Sequence, residues 1–413
     1  MSHGIEPSGQ RNRPVGHRQW RTALSVAAVG VVGAAAVGVG FGWRHGPVWA
    51  ADEAVSKTAE PAAVSGPVRL PPYTLPAPLF EPSTVAAAID RLRITKPTTV
   101  STLLHAARLF GLDMPVRVRA GRPEMAPFRE LLFDEAKGRE AFSDEPALIG
   151  TRTGIRSRVV VKRDSYRQPA RQAHEGQLLA VIGEQGIHPD TPVVVETGRF
   201  AIRDLVADTA ANFNLDDDEI EWAAVGLSLY LPPQASWADK FGRRTTFDDL
   251  ARKLMKSPFD QPGIACQGTH LLHALAVIYG ADQQRPVLSP EARAEVRAYL
   301  ARYVREAVET QRLTGEWWGG WYETDRGQGM NRFINPGTHT RLAVTVTGHH
   351  LEWMLILPPD LRPPDEVFRR AGRWLHAALL KAPEREIEEG YCPYSHAGYV
   401  VKVLSTPNRP GRD

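Results

Sequence analysis

QRLTGEWWGGW, residues 311–321, sets three tryptophans and two adjacent glycines directly behind a long amphipathic stretch. That stretch, Ser289 to Gln311, carries Val296, Leu300, Tyr303, Val304, Ala307 and Val308 on one stripe at helical spacing. Ser289 suits its N-cap and Pro290 its first turn. TTFDDLARKLMK (245–256), FAIRDLVADTAANF (200–213) and PPDEVFRRAGRWLHAALLKA (363–382) share its style, one apolar face and one charged face. Between them recur helices that are apolar on most sides: HEGQLLAVIGEQG (174–186), DEIEWAAVGLSLYLP (218–232), GTHLLHALAVIYG (268–280), TGHHLEWMLILPP (347–359) and SHAGYVVKVL (395–404). Helices of the second kind must be buried and those of the first kind lie outside them. The alternation predicts a mainly α domain over 83–413, an α/α toroid with an inner and an outer ring of helices. The β-branched runs in ALIGTRTGIRSRVVVKRDS (147–165) and TPVVVETGRF (191–200) add one or two short hairpins.

Gln311, Gly315 and Trp317 have the spacing Q-x3-G-x-W behind an outer-type helix. This is the core of the repeat motif of squalene and oxidosqualene cyclases, and the last 240 or so residues resemble the terpenoid cyclase and prenyltransferase superfamily in pattern. The resemblance implies that the glutamine ties down a helix end while the tryptophan packs across to a neighbouring hairpin. It does not carry the reaction over. The nearest approach to the cyclase D-x-D-D acid is Asp216-Asp217-Asp218-Glu219, and acids at the first turn of a helix are placed there by its dipole. The same argument applies to Asp217-Asp218-x-x-Glu221 as a magnesium motif. The set His174-Glu175-Gly176-Gln177, Cys266-Gln267-Gly268-Thr269-His270, Thr347 to Trp353 and Ser395-His396-Ala397 looks closer to a family of exported bacterial proteins with no established activity.

The N-terminus has a different composition. Arg11, Arg13, Arg18 and Arg21, in a basic segment 1–21, precede the uncharged run TALSVAAVGVVGAAAVGVGFGW (22–43), which matches the hydrocarbon thickness of a bilayer. The positive flank predicts a single-pass membrane anchor with the main domain on the non-cytoplasmic side. Val48-Trp49-Ala50 also offers a signal-peptidase pattern, so cleavage is the alternative fate. Residues 44–82, rich in proline and alanine, read as an extended linker. The chain of 413 residues carries a net charge of +3 with scattered basic groups, which gives no nucleic-acid surface. Two cysteines are too few for a disulfide scaffold. No phosphate-binding glycine loop and no G-x-S-x-G elbow is present.

The residues able to do chemistry fall on the inner-type helices. His174, His270, His349 and His396 each lie at or near the start of one, and in a toroid those ends share one mouth. Capping of a neighbouring turn is the alternative at each single position. Cys266 and Cys392 precede His270 and His396 in two C-x3-H pairs, a spacing that offers thiolate and imidazole to one zinc ion; Pro393 works against regular helix through the second. Glu352 is a candidate general base or histidine-orienting group, or else the partner of an outer-helix arginine. Trp317, Trp318 and Trp321, near Glu316, Glu323 and Asp325, suit a sugar ring or an isoprenoid cation, or simply close a loop by packing. The assignments are His270, His349 and Glu352 as catalytic, His174, Trp317, Trp318, Trp321 and His396 as ligand-binding, and Cys266 with His270 as zinc ligands. The functional expectation is a membrane-anchored toroid that binds or processes an apolar or polyprenyl ligand in a histidine-lined cavity. A polysaccharide-acting enzyme using Glu352 and Glu323, and a non-catalytic scaffold, are the alternatives.

Overall fold

The computed structural model describes residues 66–407 apart from 95–97, 119–123, 143, 153, 159–172, 218, 258–264, 320 and 322–335. The expected membrane span 22–43, the basic segment before it, the linker up to residue 65, Asp218, Glu323 and Asp325 lie outside these residues. Among the described residues no helix is long and apolar enough to cross a membrane. The described chain is mainly helical with a few short antiparallel hairpins.

In chain order the helices begin with α1 (Pro82–Asp90), α2 (Val100–Phe110), α3 (Phe128–Phe133), α4 (Glu135–Ala141), α5 (Gln177–Glu184), α6 (Ile202–Asn212) and α7 (Glu221–Tyr230). They continue with α8 (Phe247–Lys256), α9 (Thr269–Gln284), α10 (Pro290–Thr310), α11 (Pro336–Leu355), α12 (Asp365–Lys381), α13 (Glu384–Glu389) and α14 (Tyr391–Leu404). Helices without a polar face are buried as expected: every residue of 177–183, 222–230 and 269–282 is buried. Helix α5 packs on α7, α7 on α9, α9 on α11, α11 on α14, α14 on α2, and α2 returns to α5. The helices with one wet face lie against these. Helices α8 and α10 pack on α9, and α12 packs on α11 and α14. Helix α10 buries Val296, Leu300, Tyr303, Val304 and Ala307, with the Ser289 hydroxyl accepting from the Ala292 N–H at 3.2 Å.

Among the described residues there are four hairpins where one or two were expected: β1 (Pro115–Arg117) with β2 (Met125–Pro127), β3 (Leu148–Gly150) with β4 (Ile155–Ser157), β5 (Pro192–Val195) with β6 (Gly198–Ala201), and β7 (Ser236–Ala238) with β8 (Arg244–Thr246). Strands β2, β6 and β8 run without a break into α3, α6 and α8. The junctions repeat one pattern, an apolar residue, any residue, an acid and leucine: Phe128 to Leu131, Ile202 to Leu205, Phe247 to Leu250. In two of them the acid caps the helix, Asp204 accepting from the Ala201 N–H at 2.7 Å and Asp249 from the Thr246 N–H at 3.0 Å.

Residues 66–81, read above as part of an extended linker, form a strap across the C-terminal ends of the buried helices. The Val68 N–H donates to the Leu229 carbonyl (2.9 Å), Tyr73 to Leu355 (2.7 Å) and Leu79 to Leu404 (3.0 Å), and the Arg69 guanidinium donates to Glu184 (3.2 Å). Carbonyls in the last turn of a helix have no intrahelical partner, and the strap supplies one for α5, α7, α11 and α14. Those four helices therefore end on the same side. Leu75, wholly buried, anchors the strap.

The opening stretch is a clasp between helices. The Gln311 side-chain amide donates to the Gly315 carbonyl (2.9 Å) and the Val367 carbonyl (3.0 Å), and its oxygen accepts from Arg370 (2.5 Å), so it ties the end of α10 to α12. Gly315 has φ 112° and its α-carbon faces the Arg370 carbonyl so closely that an added Cβ would lie 2.4 Å from it. Trp317 is fully buried, its indole N–H donating to the Ala307 carbonyl at 2.7 Å. Gln311→Ala removes three hydrogen bonds, two of them buried, and strands their partners, so it is expected to lower unfolding free energy by about 1–3 kcal/mol in urea titration; an unchanged value would contradict the clasp.

Candidate metal centre

Four of the buried helices carry a histidine followed three residues later by another polar or ionisable side chain: His105 and Arg108 on α2, His270 and His273 on α9, His349 and Glu352 on α11, His396 and Tyr399 on α14. Residues three apart share a helix face. The four helices turn these faces towards one another and make two layers.

The lower layer is ionic. Arg108 Nε lies 2.9 Å from Glu184 and its Nη1 3.0 Å from Glu352, while His273 Nε2 lies 2.8 Å from Glu184. Burial alone would raise the Glu352 carboxyl, but Arg108, the His396 imidazole and hydrogen bonds from His349 and His396 outweigh it and hold the group well below the usual carboxylate range. The same balance, burial against Arg108 and His273, lowers Glu184. Between this layer and the strap residues Val68, Leu70 and Pro72 is a cavity of about 110 Å³.

The upper layer is a row of imidazoles with centroid separations of 5.3 Å from His174 to His270, 4.8 Å to His349, 3.9 Å to His396 and 5.3 Å to His105. The shortest step depends on Gly348, whose missing Cβ would lie 3.1 Å from the His396 Cβ. Glu352 joins the layers. Its Oε1 lies 2.7 Å from His396 Nδ1 and its Oε2 3.3 Å from His349 Nδ1. An ionised carboxylate only accepts, so both Nδ1 atoms carry the proton and both Nε2 atoms present a lone pair. His396 Nδ1 also lies 3.3 Å from Arg108 Nη1, a contact between two hydrogen-bearing atoms and not a hydrogen bond. Both Nε2 atoms are buried and have no hydrogen-bond partner in the structure. Burial lowers His270, His349 and His396 below the ordinary imidazole value, and His105 to about 4, so these four imidazoles are neutral at pH 7.

Neutral imidazoles with an orphaned Nε2, steered through Nδ1 by a carboxylate, are the arrangement that metal-binding histidines adopt. Cysteines complete it. The ligand atoms of Cys266, His270 and His349 lie within 4.8 Å of one another, as do those of His105, Cys392 and His396. Cys266 holds a left-handed backbone (φ 51°), a strained conformation for a residue with a side chain. Both thiols are free, and burial pushes them up, Cys392 to about 12. A third grouping, His349, Glu352 and His396, is hydrogen-bonded at 2.7 Å with Arg108 against the carboxylate, which leaves no room for a cation.

The structure thus brings His270, His349, Glu352, His396 and Cys266 together. His174 stands at the edge of the row, its Nδ1 2.9 Å from Glu219, which also has a left-handed backbone (φ 57°). The tryptophans do not join them. Trp317 and Trp321 are closed in around His350, at 5.0 and 4.2 Å between centroids, and a fully packed ring offers no face to a ligand; Trp318 lies under the Arg312 guanidinium. The arginine that meets Glu352 comes from the buried helix α2, not from an outer helix. Pro393 falls in the first turn of α14, where its missing N–H costs nothing, and Cys392 and His396 share a helix after all. Asp216 and Asp217 are paired with Arg243 and Lys240, away from any acid role. His105, Arg108, Glu184 and His273 were not anticipated, although the three-residue step after each histidine marks two of them.

Compared with known proteins, the chain matches no family model, no curated protein and no solved structure.

The neutral row has a consequence for pH. A histidine whose folded value is depressed takes up its proton on unfolding. Its contribution is complete above the unfolded value of 6.5 and is lost as pH falls towards the folded one, about 4 for His105. The thermal midpoint is therefore expected to fall steadily from pH 6.5 to pH 4; a flat profile over that window would contradict the buried neutral row.

Proposed function

We propose that the chain is an exported, membrane-tethered protein of α/α-toroid fold, and that its buried histidine row holds a zinc ion on Cys266, His270 and His349. The single observation that carries this reading is His349, whose buried Nε2 has no hydrogen-bond partner and whose ligand atom lies within 4.8 Å of those of Cys266 and His270. The closed succession of packed helices, with one-faced helices outside it and helix ends gathered under the strap, supports the toroid. The basic flank and apolar run at 22–43 support the tether.

Three protein ligands leave a fourth position for water or substrate, the form of a catalytic zinc site. Zinc there would supply Lewis acidity and a water activated near neutral pH. Around it the chain's own groups take defined parts. Glu352 sets the tautomer of His349. His174, held by Glu219, stands at the half-exposed edge of the row, where it would meet an entering ligand. Arg108 keeps Glu352 ionised.

The lining is imidazole, guanidinium and carboxylate, so a polar group such as a carbonyl suits it better than the apolar or polyprenyl ligand that the sequence suggested. The polysaccharide reading loses its platform with the burial of Trp317 and Trp321. Zinc is expected in the full chain purified in detergent, measured by elemental mass spectrometry, and Cys266→Ser and His349→Ala are each expected to remove about one equivalent. A metal-free chain would contradict the reading.

A further inference from the structure

We propose a second zinc site, formed by Cys392, His396 and His105, which makes the centre a paired one with Glu352 between its halves. The inference rests on the zinc reading above for its chemistry but on different residues.

The two sets are built alike. Each takes a cysteine and a histidine from a C-x3-H at the start of a buried helix, Cys266 and His270 at α9, Cys392 and His396 at α14. Each completes itself with a histidine from the next helix in the packing order, His349 from α11 and His105 from α2. Such repetition two helices further on is not required by packing, because any small residue fills the place of Cys392.

Both imidazoles of the second set keep an Nε2 lone pair for a ligand. His105 Nδ1 lies 2.7 Å from the Ser101 carbonyl, which only accepts, so the proton is on Nδ1 and Nε2 has the lone pair. The contact recorded at that Nε2 is a long one, 3.4 Å, from the Gln177 amide. His396 is arranged in the same way, Nδ1 to Glu352 and Nε2 buried without a partner. Two orphaned Nε2 atoms, one per set, on imidazoles whose centroids are 3.9 Å apart, therefore ask for two partners. A buried polar atom left unpaired is costly, so a ligand bound at each Nε2 stabilises the arrangement. Thiolate with two imidazoles selects zinc over magnesium or calcium, which want oxygen. The charge agrees: the buried ionised groups Glu184, Glu352 and Arg108 leave one negative charge in excess beside the row.

The test is the zinc content of the full chain in detergent, beside Cys266→Ser, Cys392→Ser and, because a cysteine change at a helix start can disturb folding, His105→Gln. About two zinc ions per chain are expected, halved in each single variant. One ion, lost in Cys266→Ser and kept in Cys392→Ser and His105→Gln, overturns the second site and leaves the first. One ion lost in either cysteine variant means a single site shared by both thiols and also overturns it. One ion lost only with Cys392 or His105 supports this site and overturns the first. A metal-free wild-type chain overturns both. Circular dichroism melting of each variant separates metal loss from unfolding.

Discussion

Glu352, a carboxylate with almost no exposure, meets one guanidinium and two imidazoles where α2, α11 and α14 converge. The arrangement is costly to assemble, because both ions of a buried pair lose their hydration, and breaking it from one side leaves an uncompensated charge worth about 3–5 kcal/mol. What the ionic layer contributes is position. Arg108 reaches Glu352 and Glu184 at once, fixing α2 against α11 and α5. Glu352 then fixes the protons of His349 and His396 on Nδ1 and turns both Nε2 atoms the other way. The proton positions of His349 and His396 both follow from that one ionised group.

The surroundings keep the pair where it is. Gly348 lets α11 approach α14 closely enough for the two imidazoles to meet with centroids 3.9 Å apart, their planes tilted by 44°. The strap covers the helix ends below the ionic layer and encloses the small cavity beneath Arg108 and Glu184. Farther out, the Gln311 clasp links α10 to α12, and α12 packs against both α11 and α14. The same stretch also holds α11 directly, the Trp317 N–H donating to the Thr347 hydroxyl at 3.0 Å, two residues before His349.

Much of the architecture was legible in the sequence because composition and burial are tightly linked in helices. A segment such as HALAVIYGA has no face that tolerates water, whereas Ser289–Gln311 has one, and each went where its composition sent it. The hairpins were harder to see. Strands of three or four residues running straight into a helix leave too short an alternating pattern, and the helical period of FAIRDLVAD absorbed the end of β6. The strap was misread because proline and alanine without periodicity look the same in a free tether and in a segment whose backbone caps other helices. At the site, the recurrence of histidine was readable, but Arg108 and Glu352 are 244 residues apart and nothing local announces their pairing. The tryptophans pose a related problem: an aromatic cluster at a loop has the same sequence whether it meets a ligand or His350.

The central claim, that His349 and His396 turn their Nε2 atoms to metal, is tested most directly by X-ray diffraction from crystals of the protein on both sides of the zinc absorption edge. The account predicts anomalous peaks about 2.0–2.1 Å from each Nε2 and about 2.3 Å from the Cys266 and Cys392 sulfurs, present above the edge and absent below it. Ordinary water density at hydrogen-bond distance from the two nitrogens, with no anomalous signal, would contradict it.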